Sequence, residues 1–129
     1  MKIAVVDDDQ IVRDFVATVL SYSVNREIEL FNNGFDAFNS LEADQSADII
    51  LSDVYIPELD GFELVAAIKK QYPHKACILM SSIPTDEETA RKHGADAFIG
   101  KPFTANDLFQ IVQKFVVTEE GPSKAPAEL

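Results

Sequence analysis

Residues 49–61 read IILSDVYIPELDG. The run Ile49-Ile50-Leu51 shows no polar alternation, passes through Ser52 and stops on one aspartate, Asp53. A run without alternation reads as a strand covered on both faces. Pro57 and Asp60-Gly61 follow as a stiff turn. A strand ending on a lone acid is ordinary by itself, so its meaning depends on what stands at the ends of the other strands.

Four further apolar runs recur at fairly regular spacing: Ile3 to Val6, Ile28 to Phe31, Cys77 to Met80 and Ala97 to Ile99. The segments between them have helical period. Val12, Phe15, Val16 and Val19 share one helix face, and Leu108, Ile111, Val112 and Phe115 repeat that spacing. Asp9 is placed to cap the first helix. Asn32-Asn33-Gly34 reads as a turn before a helix from about Phe35 to Leu41. Gly61 precedes another, from about Phe62 to Tyr72. Thr85-Asp86-Glu87-Glu88 is a capping-box pattern for a fourth helix stopping at Gly94, and Thr104 is placed to cap the last. Strand and helix thus alternate five times. The expected fold is α/β: a single flavodoxin-like, doubly wound domain with a five-stranded parallel sheet in the order 2-1-3-4-5. Residues 1–118 read as that domain. Residues 119–129, rich in Pro, Ala and Glu, read as a flexible tail or a linker stub.

The chain has 129 residues, 47% of them hydrophobic, which suits one compact core. Eleven basic residues against 22 acidic ones give a formal net charge of −11. Phosphate backbones and anionic lipid surfaces would be repelled, so direct contact with nucleic acid or a membrane is not expected. The acidity suits a divalent cation or a basic partner surface, although a solvated acidic exterior is its commoner cause. One cysteine, Cys77, allows no intrachain disulfide and sits in an apolar run, where a buried, inert thiol is expected. MKIAVVDDDQ turns acidic too soon for a signal peptide, and no apolar run has the length of a membrane span. A cytoplasmic location is therefore expected. His74 and His93 lie beside a proline and a glycine with no second ligand spaced for a metal, and they read as solvated.

In an open parallel sheet, ligands sit beyond the carboxyl ends of the strands, at the point where the strand order reverses. Asp7, Asp8 and Asp9 follow the first strand, Asp53 ends the third, Ser81 and Ser82 follow the fourth, and Lys101-Pro102 follows the fifth. The expected order places the first and third strands side by side, and with them Asp7, Asp8 and Asp53. Clustered carboxylates repel unless neutralised, and Mg²⁺ suits such a set because it takes one or two carboxylates and keeps room for water and phosphate oxygens. Carboxylates, a hard cation, a lysine and a hydroxyl together suit phosphoryl transfer, with an aspartate able to act as the nucleophile.

With VVDDD near the start, SDVYIPELDG in the middle, LMSS after the fourth strand and KPFT after the fifth, the chain resembles a response-regulator receiver domain, the phosphoacceptor module of two-component signalling. The resemblance runs from Met1 to about Val117. It implies that Asp53 accepts the phosphoryl group and that Asp7, Asp8, Asp53 and the backbone carbonyl of Tyr55 hold Mg²⁺. It implies that Lys101 pairs with phosphoryl oxygens, that the Ser81 hydroxyl bonds the phosphate, and that Phe98 stands at an aromatic switch position. Ser82 then takes the small-residue position, although a one-residue slip would exchange the two serines. Lys101-Pro102 matches a cis peptide. The implied partners are a sensor histidine kinase or histidine phosphotransfer protein and a downstream protein target. The implied activity is self-phosphorylation and self-dephosphorylation, without turnover of a separate substrate.

Two departures stand out. Ser82 replaces the usual Ala or Gly, and the stretch from there to Lys101 is a residue or two short. Tyr55 and Ile83 flank the site where acidic or amide side chains often orient the attacking water. The fourth helix, Thr85 to His93, has almost no apolar residue beyond Ala90, so it should be loosely held and free to shift within a face that it forms with the fifth strand and fifth helix. Phe109, Val116 and Val117 lie off the core stripe of the last helix and suit either a homodimer through that face or packing at the core edge. Two rival readings are a Mg²⁺-dependent phosphatase with an aspartyl nucleophile, which would want an acid where Tyr55 stands, and a degenerate receiver kept as a scaffold.

Overall fold

A computed structural model describes residues 1–116. Residues 117–129, and with them the expected tail and Val117, lie outside the described residues. Five strands alternate with five helices: β1 (Lys2–Val6), α1 (Gln10–Ser23), β2 (Glu27–Phe31), α2 (Gly34–Ser40), β3 (Ile49–Asp53), α3 (Gly61–Gln71), β4 (Ala76–Ser81), α4 (Asp86–Lys92), β5 (Ala97–Gly100) and α5 (Ala105–Val112), with a 3-10 turn over Gln113–Phe115. All the strand pairings are parallel and the order is β2-β1-β3-β4-β5, as expected from the sequence.

The three central strands are covered on both faces, which is why they lack alternation. Strand parity sends Ala4, Val6, Ile50, Cys77 and Leu79 to one face, where they pack with Leu64, Val65 and Ile68 of α3 and Ala90 of α4. Ile3, Val5, Ile49, Leu51, Ile78 and Met80 go to the other, against Val16 and Leu20 of α1 and Leu108 and Val112 of α5. Each buried Val, Leu, Ile or Met among them contributes about 1.5–3 kcal/mol by leaving water. Cys77 lies in this core, and burial pushes its thiol up to about 12, so it stays protonated and inert at neutral pH. Phe109 and Val116 are half-buried and pack against the second cluster.

Three local expectations shift. Phe15 is 43% exposed and leans on Phe103, while Leu20 takes the buried position on α1. The last helix ends at Val112 and tightens into the 3-10 turn before Phe115. The capping box at Thr85 does not form. Thr85 sits at φ −67°, ψ −13°, a helical rather than extended conformation, and its side chain makes no cap bond. The N–H groups of Asp86 and Glu87 bond instead to the carbonyls of Ile83 and Pro84. His93 is exposed, as expected, with its ring stacked 5.3 Å from that of Phe62.

Elsewhere the caps follow the sequence. Asp9 accepts from the N–H of Ile11, and Thr104 forms a reciprocal box with Asp107. Asp60 forms another with Glu63, at 2.9 Å and 3.2 Å. Because this box anchors α3 directly behind the loop after Asp53, Asp60→Ala is expected to cost about 1 kcal/mol, read as a lower urea midpoint with an unchanged slope.

Candidate functional site

The register places the acids. Val6 pairs with Ser52, so the residues that follow them, Asp7 and Asp53, emerge side by side at the carboxyl edge of the sheet. The N–H of Asp7 bonds the carbonyl of Phe31, and the Asp7 carbonyl accepts from Arg13 Nη1 at 2.7 Å, which ties the end of β1 to β2 and α1. Asp7 is buried and Asp8 exposed. Asp7, Asp8 and Asp53 each bring one carboxylate oxygen within 4.8 Å of the others. Asp53 itself is 8% exposed.

Lys101 faces this cluster from the end of β5. Its backbone N–H bonds the carbonyl of Ser81 at 2.9 Å, and its peptide bond to Pro102 is cis. Its Nζ lies 2.9 Å from Asp53 Oδ1 and 3.3 Å from Asp7 Oδ2. One ammonium thus stands against three carboxylates, and the imbalance shows in the acidities. Burial, helped by the charge on Asp7, raises the Asp53 carboxyl above the ordinary carboxylate value. The Lys101 ammonium and the Tyr55 N–H pull the other way without offsetting it. Burial also disfavours the charge on Lys101, but its contacts with Asp53 and Asp7 outweigh that and hold the ammonium above its ordinary value. The two shifts are compatible: the lysine gains two anionic neighbours, whereas Asp53 gains one cation and one anion in a buried place.

The loop behind Asp53 is tight. The N–H of Leu59 reaches back to the carbonyl of Pro57 at 2.9 Å, with Glu58 between them at φ +74°. The N–H of Gly61 bonds the carbonyl of Val54 at 2.7 Å. Gly34 admits the same loop from the other side: a Cβ there would lie 2.0 Å from the carbonyl oxygen of Leu59.

The structure therefore brings together Asp7, Asp8, Asp53 and Lys101. Ser81 is buried at the end of β4, but its hydroxyl does not serve this cluster. It donates to Asp86 Oδ2 at 2.7 Å and accepts from the N–H of Ile83 at 3.0 Å. Ser82 is exposed. Phe98 is half-buried and packs against the core on the α3 side. The Tyr55 phenol donates to the same Asp86 oxygen at 2.8 Å. Asp86 stands at the charge-rich start of α4, where the sequence does not set it apart from Glu87 and Glu88. The Ile83-Pro84 turn that folds it back onto Ser81 leaves no periodic signal.

The sequence and its relatives agree with this architecture. Residues 3–113 match the family described as response regulator receiver domain, and the chain belongs to that family. It is 30% identical to protein PilG of Pseudomonas aeruginosa PAO1, over 99% of this chain and 93% of that protein. It is 30% identical to the putative two-component response regulator ARR13 of Arabidopsis thaliana, over 97% of this chain but 22% of that protein, so it spans about a fifth of that relative's length. Among solved structures, the receiver domain of sensor histidine kinase PA1611 from Pseudomonas aeruginosa PAO1, with a magnesium ion coordinated in its active-site cleft, superposes with a TM-score of 0.77 at 26% identity. That match covers 88% of this chain and 94% of that one.

Proposed function

We propose that this chain is a phosphorylation-controlled signalling switch that takes a phosphoryl group onto Asp53 from a sensor histidine kinase or a histidine phosphotransfer protein. The observation that carries the reading is the placement of Asp53: a buried carboxylate at the switch point of the sheet, 2.9 Å from Lys101 and grouped with Asp7 and Asp8. In the transfer, an Asp53 oxygen attacks phosphorus, the bond from phosphorus to the donor imidazole nitrogen breaks, and the electron pair leaves on that nitrogen. Lys101 favours the ionised, nucleophilic form of Asp53 and is placed to follow the charge onto the phosphoryl oxygens.

The acid cluster fits Mg²⁺ by its chemistry: hard oxygen donors, close together and under-neutralised by one lysine. Asp7, Asp8, Asp53 and the carbonyl of Tyr55 are the residues proposed to hold it, and the ion would neutralise charge on the phosphoryl oxygens. The donor reaches Asp53 across a rim that includes an apolar cavity of about 480 Å³, bordered by Ile11, Phe15, Pro102 and Phe103. Output passes to a protein partner, and the net charge of −11 disfavours direct contact with nucleic acid. Among the described residues no helix is long and apolar enough to cross a membrane. The phosphatase alternative lacks its general acid, since the residue two beyond Asp53 is Tyr55 with its hydroxyl committed to Asp86.

The test is incubation with acetyl phosphate, with and without Mg²⁺, followed by intact mass and peptide mapping. A phosphate-sized gain mapping to Asp53 and suppressed by chelation is expected. Steady release of inorganic phosphate from phosphomonoesters would instead favour the phosphatase.

The lifetime of the acyl phosphate is a separate expectation. Tyr55 and Ile83 flank the site, 54% and 43% exposed, and neither side chain can orient an attacking water as a carboxylate or amide can. Hydrolysis should be slow. Tyr55→Glu is expected to shorten the half-life by about tenfold, less than the roughly 10²-fold or more that a fully positioned base supplies, and Ile83→Ala to shorten it less. Equal half-lives for wild type and both variants would contradict this.

A further inference from the structure

Asp86 is the first residue of α4, is 9% exposed, and uses one oxygen, Oδ2, to accept from both Ser81 and Tyr55. A helix whose capping box fails thus has its first turn pinned inward, by a carboxylate, to the end of β4 and to the loop after β3. The Ser81 hydroxyl carries one proton to donate. Its oxygen also accepts from the Ile83 N–H, so both bonds it makes run to Ile83 and to the start of α4. Phosphoryl oxygens only accept. The Ser81 proton therefore cannot serve Asp86 and a phosphoryl group on Asp53 at once.

We infer that Asp86 is a positioning residue that withholds the Ser81 hydroxyl from the site in the unphosphorylated protein, so that phosphorylation of Asp53 must break the Ser81–Asp86 bond and thereby loosen the start of α4. This rests on the phosphoacceptor reading above and deepens it, because it names what the phosphoryl group competes against. The competition is between like acceptors: a carboxylate holds the proton at 2.7 Å before the reaction, and a dianionic phosphoryl group claims it afterwards. The device also ties chemistry to shape. Among the described residues of α4, Asp86 and Ala90 are the buried ones, so release of Asp86 removes one of the two inward anchors of that helix. The Tyr55 phenol, pushed above its ordinary value first of all by its hydrogen bond to Asp86, stays protonated at neutral pH and remains a donor to that carboxylate.

The experiment is a titration of the full chain with beryllofluoride in Mg²⁺, a phosphoryl mimic that makes no covalent bond to turn over. The proteins are wild type, Asp86→Ala, Asp86→Asn, Ser81→Ala and the Asp86→Ala/Ser81→Ala double variant. Losing a charge-assisted bond made only in the free state should tighten binding by roughly tenfold or more in Asp86→Ala. Asp86→Asn, which keeps its volume and a weaker acceptor, should shift less in the same direction. Should Asp86→Ala fail to fold, Asp86→Asn, alone and combined with Ser81→Ala, decides. The gain should vanish in the Ser81→Ala background, where no hydroxyl remains to release. Amide exchange at residues 86–88 should quicken on beryllofluoride binding in wild type and be fast from the outset in Asp86→Ala. Unchanged or weaker binding in both Asp86 variants overturns the proposal. An equal gain with and without Ser81 also overturns it, by assigning the effect to charge alone. Wild type that fails to bind beryllofluoride overturns the phosphoacceptor reading itself, and the proposal with it.

Discussion

Asp53→Asn is expected to abolish acquisition of phosphate from acetyl phosphate or a phosphohistidine donor, and at the same time to make the protein more stable. The first effect follows from chemistry: an amide offers neither the charge nor the leaving-group exchange that forms an acyl phosphate. The rate should fall by at least about 10³-fold, to the level of non-specific labelling, on the scale of losses seen when an essential nucleophile is removed. The second effect follows from the cluster. Asp53 sits in a buried place next to Asp7, and both raise its carboxyl above the unfolded value, so the folded chain holds an anion it disfavours. A group with a raised folded value gives stability that is present at low pH and lost as pH rises through that value. At neutral pH, wild type therefore bears the full cost of the charge, and asparagine removes it while keeping the shape. A gain of about 0.5–2 kcal/mol is expected, the usual scale for relieving a functional site. The gain should shrink as pH falls through the raised folded value and below the unfolded carboxylate value of 3.8, beneath which Asp53 is protonated in both states. Urea midpoints for the two proteins across that range, without Mg²⁺, check the sign. A difference independent of pH would contradict this account.

Why that cluster was readable from sequence, and its neighbour Asp86 was not, comes down to what carries each position. Asp7 stands one step, and Asp53 and Lys101 two steps, beyond runs of apolar residues, and a parallel sheet converts strand ends into spatial neighbours through its register. Strand order and site were legible together, because both depend on the same unalternating runs. Asp86 reaches Ser81 through a short irregular turn, Ile83-Pro84-Thr85, in which the backbone satisfies its own N–H groups and leaves Thr85 helical. The pattern Thr-x-x-Glu was present, and local propensity favoured it. The tertiary contact with Ser81 and Tyr55 prevailed, since it satisfies a buried carboxylate with two donors, whereas the box would satisfy two N–H groups at the exposed Thr85 and Glu88. Phe15 shows the same limit on a smaller scale: its spacing fits the buried stripe of α1, but the groove beside Phe103 leaves its ring at the edge.

The glycine at the other end of the opening stretch carries a second large expectation. Gly61 begins α3 directly over the end of β3, and a Cβ there would lie 2.6 Å from the carbonyl oxygen of Asp53 and 2.7 Å from the Cα of Val54. Both are backbone atoms. Neither can swing aside as a side chain would, and the Gly61 N–H is held to the Val54 carbonyl at 2.7 Å. In Gly61→Ala either α3 lifts from the sheet or the end of β3 bends. A cost of about 1–3 kcal/mol is expected from the overpacking, a large share of the roughly 5–15 kcal/mol that holds a domain of this size. The bend matters more than the stability. Asp53 must be aligned with Lys101 and with Asp7 and Asp8 after β1, and a shift of about 1 Å in a reacting group can lower a rate by about 10²-fold. Phosphorylation by acetyl phosphate in Gly61→Ala should therefore fall more steeply than its folded fraction. Gly100→Ala is the control, because a Cβ there meets nothing within 4 Å. It should leave both the urea midpoint and the phosphorylation rate close to wild type. A Gly61→Ala protein that phosphorylates at the wild-type rate while folded would show that the contact between α3 and β3 does not set the position of Asp53.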